Sequence, residues 1–536
     1  MTIEQRAAVV VVGGGLGGVA AAWAAAESGQ RVILIEETDW LGGQWTSQAV
    51  PPDEHPWIEQ FGSTRRYRSV RDAIRAQFKT WYPLRAESRQ LDALNPGAGK
   101  VSAICHEPGV AALVFRQALR SFESAGRLEL LMNHRLTAAE TGGDHITSIT
   151  VQDQGSGVTR TLLADIYIDA TETGDLLAFA DVENVTGFEA RSDTGESQAP
   201  ATAQPMNMQA ASWCFALEHH DGEDFTIDKP EGYEHWAAAQ PHFWPGQQFG
   251  WDVPHPHTGR PRRHSFRPNP DDRPFDILAD QSKDNGADEL WTFRRILARN
   301  HFVSGAYTSD VTLVNWPMID YLEGPLLGGT PEENARHRAR TKEMSLAFVY
   351  WLQTAAPNHE GGTGYPGLRL ATQALGTTDG FAKQPYIRES RRLIAETRIT
   401  GQDVSIESRN TATSYEDSVG VGAYRIDLHP STGGDNYIDV PAHPFEIPVG
   451  ATIPVRVDNL LAGGKNIGTT HISNGCYRLH PVEWNIGEAV GTLAAHALEL
   501  GVAPRAIRNT PRHLDSFQSR LSASGVELRW PRIEGW

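Results

Sequence analysis

Four consecutive valines, Val9 to Val12, run into Gly13-Gly14-Gly15-Leu16-Gly17-Gly18 and then into an alanine-rich stretch that closes at Glu27. A β-branched run, a glycine turn and a helix-forming run in that order open a βαβ unit, and Arg31 to Ile35 supplies its second strand. The glycines match G-x-G-x-x-G in the setting that gives the pattern meaning. Gly13 permits the tight turn, Gly15 lets a pyrophosphate approach the backbone, and Gly18 lets helix and strand pack closely. The helix start at Leu16 offers N–H donors and the positive end of a dipole. Glu36 ends the second strand 18 residues after Gly18, where an acid accepts hydrogen bonds from ribose hydroxyls and repels a 2′-phosphate. Gly362 to Gly367 has the same spacing, but it follows no strand and contains Pro366, so it is set aside.

After Glu36 comes Leu41-Gly42-Gly43-Gln44, and with it the fingerprint resembles the flavoproteins with two dinucleotide-binding domains. In them the glycine doublet brings backbone close to the FAD pyrophosphate and ribityl chain. Asp169-Ala170-Thr171-Glu172-Thr173-Gly174 resembles their return segment, with Glu172 in place of the usual glycine. Asn459 to Gly468 and the helical run with Gly487 and Gly491 resemble their closing motif, whose helix N-terminus points at the flavin. The blocks Asp53–Arg68, Asp310–Tyr321, Thr378–Arg392 and Asn459–Gly491 are together similar to the bacterial FAD-dependent oxidoreductases grouped beside xanthan lyases. The resemblance implies FAD held by Gly13, Gly15, Leu16, Gly18, Glu36, Gly42, Gly43, Gln44, Ala170, Asn466, Arg478, Asn485 and Ile486.

The expected fold class is α/β, a Rossmann-like FAD-binding domain with a parallel sheet, of glutathione-reductase type, plus an inserted α+β substrate or cap domain. Residues 1–50, 100–190 and 450–505 are read as the discontinuous FAD domain, 51–99 and 191–449 as the substrate or cap domain, and 506–536 as a C-terminal extension. A middle stretch near 199–300, rich in Pro, His and Trp, reads as a loop-like insertion or lid. Arg336 to Thr354 reads as helix, Val440 to Gly468 as strand-like, and Glu483 to Leu500 as the last amphipathic helix.

The 48 Lys and Arg against 66 Asp and Glu leave a formal charge of −18, which argues against nucleic-acid partners, since phosphate binding needs a basic surface. No apolar run is long enough for a membrane span, and the first residues carry no signal-peptide pattern. Three scattered cysteines, Cys105, Cys214 and Cys476, suit a reducing compartment, so the reading is cytoplasmic. They offer neither an iron–sulfur set nor a resolving pair. His219, His220, His255 and His257 have no cysteine partners at metal spacing, and no metal is expected.

Flavin chemistry needs a base and groups that orient the substrate. Candidate catalytic residues are His480, before Pro481 at a helix start, His471, and the pair Tyr386 and Arg388, a phenol and a guanidinium fork for a carboxylate or polyol. Each has a plain alternative: a satisfied buried histidine, or an Arg–Glu network tying domains together. Asn315, Trp316 and Tyr321 could floor a sugar-like or flat substrate, and His55 is considered as a covalent flavin linker. The leading function is a dehydrogenase or oxidase that removes hydride from a small polar substrate, carbohydrate-like or aromatic, at a carbon bearing O or N. Reoxidation would use O2 or an external carrier. The alternatives are a monooxygenase using NAD(P)H and a non-catalytic FAD- or NAD-binding or electron-transfer subunit. A homo-oligomer stays open.

Overall fold

The computed structural model describes residues 3–272 and 289–531. Its main sheet orders the strands Leu128–Met132, Val32–Glu36, Ile3–Val12, Thr159–Asp169, Ile146–Asp153 and His134–Thr141, with Leu460–Ala462 also joined to Thr159–Asp169. Val9 to Val12 lie between Val32–Ile35 and Ile166–Asp169, parallel to both. These residues are buried on both faces, which is why the strand reads as an unbroken valine run rather than an alternation. The outer edge of Thr159–Asp169 is shared: its first half pairs antiparallel with Ile146–Asp153, and its last residues pair parallel with Leu460–Ala462. That arrangement brings the strand ends at Val12, Asp169 and Ala462 side by side, so three loops open at one edge of the sheet.

Helix Leu16–Glu27 follows the glycine turn and is buried on almost every side, because its small residues let a second helix lie directly on it. That second helix, His480–Leu500, starts three residues earlier than the sequence reading. It is buried all round through Ala497, so a nearly continuous core element stands where an amphipathic one was expected. A Cβ on Gly487 would overlap the carbonyl of Gly17, and one on Gly491 the carbonyl of Ala21. The glycines of this helix therefore serve its crossing with the first.

A second sheet orders Arg295–Leu297, Val311–Val314, Phe215–His219 and Leu368–Leu370, all antiparallel. Phe215–His219 sits inside it, so the stretch read as a loop-like insertion contributes a central strand; its part from 273 to 288 lies outside the described residues. Helix Pro331–Thr354 begins five residues before the sequence reading because Thr330 and Glu333 form a capping box and Pro331 occupies its first turn. Phe348 and Trp351 on that helix pack against Phe249, Trp251 and Trp316.

Candidate functional site

The first zone is the glycine turn. Gly13 adopts φ +96°, and a side chain there would run into the Ala170 carbonyl. The doublet follows the same logic: Gly42 adopts φ +110° and packs on Phe115, while its N–H donates to Gly14 O at 2.8 Å. Gly18 touches the Gly13 carbonyl, where any Cβ would overlap, so helix and turn meet without side chains between them. Glu36 accepts from Gly14 N at 2.8 Å with one oxygen, and from Thr38 N and Oγ1 with the other. Burial pushes its carboxyl up to about 7, against those hydrogen bonds.

Gly15 and Gly43 lie against each other and against the Glu172 side chain. A Cβ on either would lie 2.8 or 2.6 Å from Glu172 Oε1, a buried oxygen with no hydrogen-bond partner. A cradle of bare backbone at a helix N-terminus, filled by one carboxylate oxygen, fits the diphosphate of a dinucleotide. Asn466 braces the loop above it, donating to Asp169 O at 3.0 Å and accepting from Gly464 N at 3.1 Å. Lys465 pairs with Glu172, and Gln44 donates to Glu483 and, at 3.0 Å, to Arg478 O. Burial raises the Glu483 carboxyl to about 7. Asn485 donates to Val419 O at 3.0 Å, and Ile486 is fully buried in the core.

Arg478 leads from the cradle into the second zone. Its guanidinium donates to the Tyr386 phenol at 2.7 Å and to Asp427 O at 2.9 Å, and no carboxylate lies within ion-pair range among the described residues. Arg388 stacks over the Tyr386 ring and donates to Ala210 O, Ser212 Oγ and Asn315 Oδ1. It also lies 3.2 Å from Asp320 Oδ1. The other Asp320 oxygen holds His429 Nδ1 at 2.6 Å. Burial works against the Asp320 charge, but Arg388 and His429 overcome it and hold the carboxyl below its usual range. Burial and then Arg388 keep His429 below the ordinary histidine value, so the ring is neutral and its Nδ1–H donates to Asp320.

Asp53, Tyr424, His429 and Tyr437 are ringed by protein, yet each keeps part of its surface accessible. Together with Arg388, Arg478 and Asp427 they form one polar cluster. The tyrosines and Asp53 feel the charges of Asp427, Arg388 and Arg478 within it. Asp53 also ties this cluster to the closing helix, its N–H donating to His480 Nδ1 at 3.1 Å.

Of the sequence-derived catalytic candidates, Tyr386 and Arg388 lie together in this polar cluster, both buried. His480 lies beneath, fully buried, and burial lowers its pKa to about 3. His471 is drawn elsewhere, into a network in which Glu389 accepts from His471 and Arg392 while the ring packs on Phe188. His55 bonds Gly62 O and packs on Trp530, away from the glycine turn. Sequence reasoning missed His429 and Asp320, which lie 109 residues apart; Asp320 was inside a block already quoted, next to Tyr321. Among the described residues no group of three or more His, Cys, Asp or Glu could hold a metal, and no helix is long and apolar enough to cross a membrane.

Residues 8–521 match the family model described as FAD dependent oxidoreductase. No curated protein matches the sequence. Among solved structures, a geranylgeranyl bacteriochlorophyll reductase-like protein from Thermoplasma acidophilum is similar over 98% of this chain and 85% of its own, at 9% identity and TM-score 0.33. The L-proline dehydrogenase from P.horikoshii is similar over 36% of this chain and 26% of its own, at 13% identity and TM-score 0.18. The flavin-dependent monooxygenase PieE, in complex with FAD and substrate, covers 41% of this chain and 36% of its own, at 16% identity and TM-score 0.25. The chain thus spans less than half the length of these last two.

Proposed function

Because the chain belongs to the FAD dependent oxidoreductase family, we propose that it is a dehydrogenase or oxidase acting on a small, hydroxyl- or amine-bearing substrate held against the polar cluster around His429. The observation that carries this reading is the His429–Asp320 pair, in which His429 Nε2 has no protein partner among the described residues and the side chain is 17% exposed. Bound FAD supplies a two-electron acceptor for the hydride that leaves the substrate carbon. The proton on the substrate's oxygen or nitrogen goes to His429 Nε2. The positive ring then sits 2.6 Å from Asp320, whose charge Arg388 maintains, so the proton is stabilised where it lands. Arg478 and Tyr386, joined at 2.7 Å, orient the substrate from the cradle side.

Asp53, Asp427 and Arg294 have no ion-pair partner within reach among the described residues, and each is part-buried. Part-buried polar side chains left unpaired in one cluster suit a ligand rich in hydrogen-bonding groups. The cradle residues Gly13, Gly15, Leu16, Gly18, Glu36, Gly42, Gly43, Gln44, Ala170 and Asn466 are assigned to the cofactor on the same footing.

The test is anaerobic flavin reduction, followed by bleaching, with polyols, 2-hydroxy acids and primary amines. His429→Asn is expected to slow reduction by the best substrate by about 10²–10⁴-fold, the range of a lost general base, with flavin occupancy unchanged. An unchanged rate sinks the assignment.

A further inference from the structure

We propose that Glu172 is a built-in occupant of the cradle, which holds the anion position until the cofactor's diphosphate displaces it and takes over its partner Lys465. The proposal rests on the reading that the cofactor binds in the glycine cradle. Three observations carry it. The Glu172 side chain enters the space left by two missing side chains, with Oε1 2.8 Å from a Cβ on Gly15 and 2.6 Å from one on Gly43. That oxygen is buried and makes no hydrogen bond, so it gains nothing from the protein by being there except the field of the surrounding N–H groups. The second oxygen pairs with Lys465, whose side chain is 1% exposed.

Lys465 explains why the position is filled. A buried ammonium with no anion beside it is costly, and Glu172 and Glu483 together raise the Lys465 pKa against the effect of burial. When a diphosphate enters, it brings negative charge to the same place, and Lys465 keeps an anionic partner in both states. Glu172 has a way out, since its side chain is 22% exposed whereas Lys465 is sealed. The carboxylate and the diphosphate cannot share the cradle, because both are anions and Glu172 Oε1 already stands where a Cβ on Gly15 or Gly43 would go. Glu172 therefore lowers affinity for ligands that carry the diphosphate and for no others.

The experiment is equilibrium binding to the full-length chain after reversible removal of flavin, with FAD, ADP and adenosine as probes. The chains compared are the parent, Glu172→Gln and Glu172→Gly. Melting temperature and circular dichroism confirm the fold of each. Both variants are expected to bind FAD and ADP at least about tenfold more tightly, as relief of a like-charge contact allows, with adenosine unchanged. Should the glutamine variant fold poorly, the glycine variant carries the same test, since it removes charge and bulk together. ADP that binds all three chains equally, or binds the variants more weakly, overturns the role of Glu172 and leaves the cradle standing. Failure of FAD and ADP to bind any of the three overturns the cradle reading itself.

Discussion

His480 and His429 differ in what surrounds them, and that difference sorts their chemistry. His480 is sealed, accepts the Asp53 N–H, and is held by burial at about 3, so it neither gains nor releases a proton near neutrality. His429 is also kept neutral by burial, but its side chain stays partly exposed and its Nδ1 is fixed on Asp320. A neutral imidazole is the form that accepts a proton, so the rate of flavin reduction should stay level from pH 8 down through 6.5. It should fall only below the ordinary histidine value, because the His429 pKa is lowered rather than raised. Rapid-mixing reduction across pH 4.5 to 8 checks this; an acid limb centred above 6.5 would assign the base to another group. His480→Asn should leave the profile where it was.

The helix pair Leu16–Glu27 and His480–Leu500 carries the cofactor zone through contacts made by missing side chains. Gly17 and Ala21 are four apart on one helix, and Gly487 and Gly491 are four apart on the other, so each crossing contact is backbone on backbone. Gly487→Ala should destabilise the chain by about 1–3 kcal/mol, the usual cost of overpacking, and should lower flavin occupancy, since the same helices frame the glycine turn. Gly155→Ala is the control, because its Cβ meets only Asp153 Oδ1 at 3.4 Å. Urea midpoints and the ratio of flavin to protein absorbance measure both effects. These elements were legible in the sequence because their signals are local: a valine run, a glycine turn, an acid at a strand end. Phe215–His219 was not legible, since it lies in a Pro- and Trp-rich stretch and is made a strand by Val311–Val314 and Leu368–Leu370, about 100 and about 150 residues further on. His429 escaped notice for a similar reason. Nothing around it has a period, and its meaning comes from Asp320, which only the folded chain brings to it.

Across the whole molecule, buried groups of opposite kind set the response to acid. His480, His106 and His301 are lowered by burial to about 3, 4 and 4. Between 6.5 and those values the unfolded chain binds protons that the folded chain refuses, so they make stability fall as pH falls. Glu36 and Glu483 are raised by burial to about 7 and Asp169 to about 6. Between those values and the ordinary carboxylate range the folded chain binds protons that the unfolded chain does not, so they make stability rise as pH falls. Each mismatch is worth about 1.4 kcal/mol per pH unit, and the three histidines are opposed by these three carboxyls together with Asp439, which burial also raises to about 6. Below about pH 4.5 the balance ends. Glu389 and Glu59, which burial would raise, are instead held at about 2, Glu389 by His471 and Arg392 and Glu59 by Arg71 and Arg75. Their stabilisation is complete above the ordinary carboxylate value and is lost as pH falls toward 2, in the same direction as the histidines. The flavin-free chain should therefore show a nearly level urea midpoint from pH 6.5 to 4.5 and a steep loss below it. A midpoint that declines steadily from 6.5 would mean that Glu36 and Glu483 are ionised in the folded chain, and the polar floor of the cradle would have to be redrawn with both carboxylates charged.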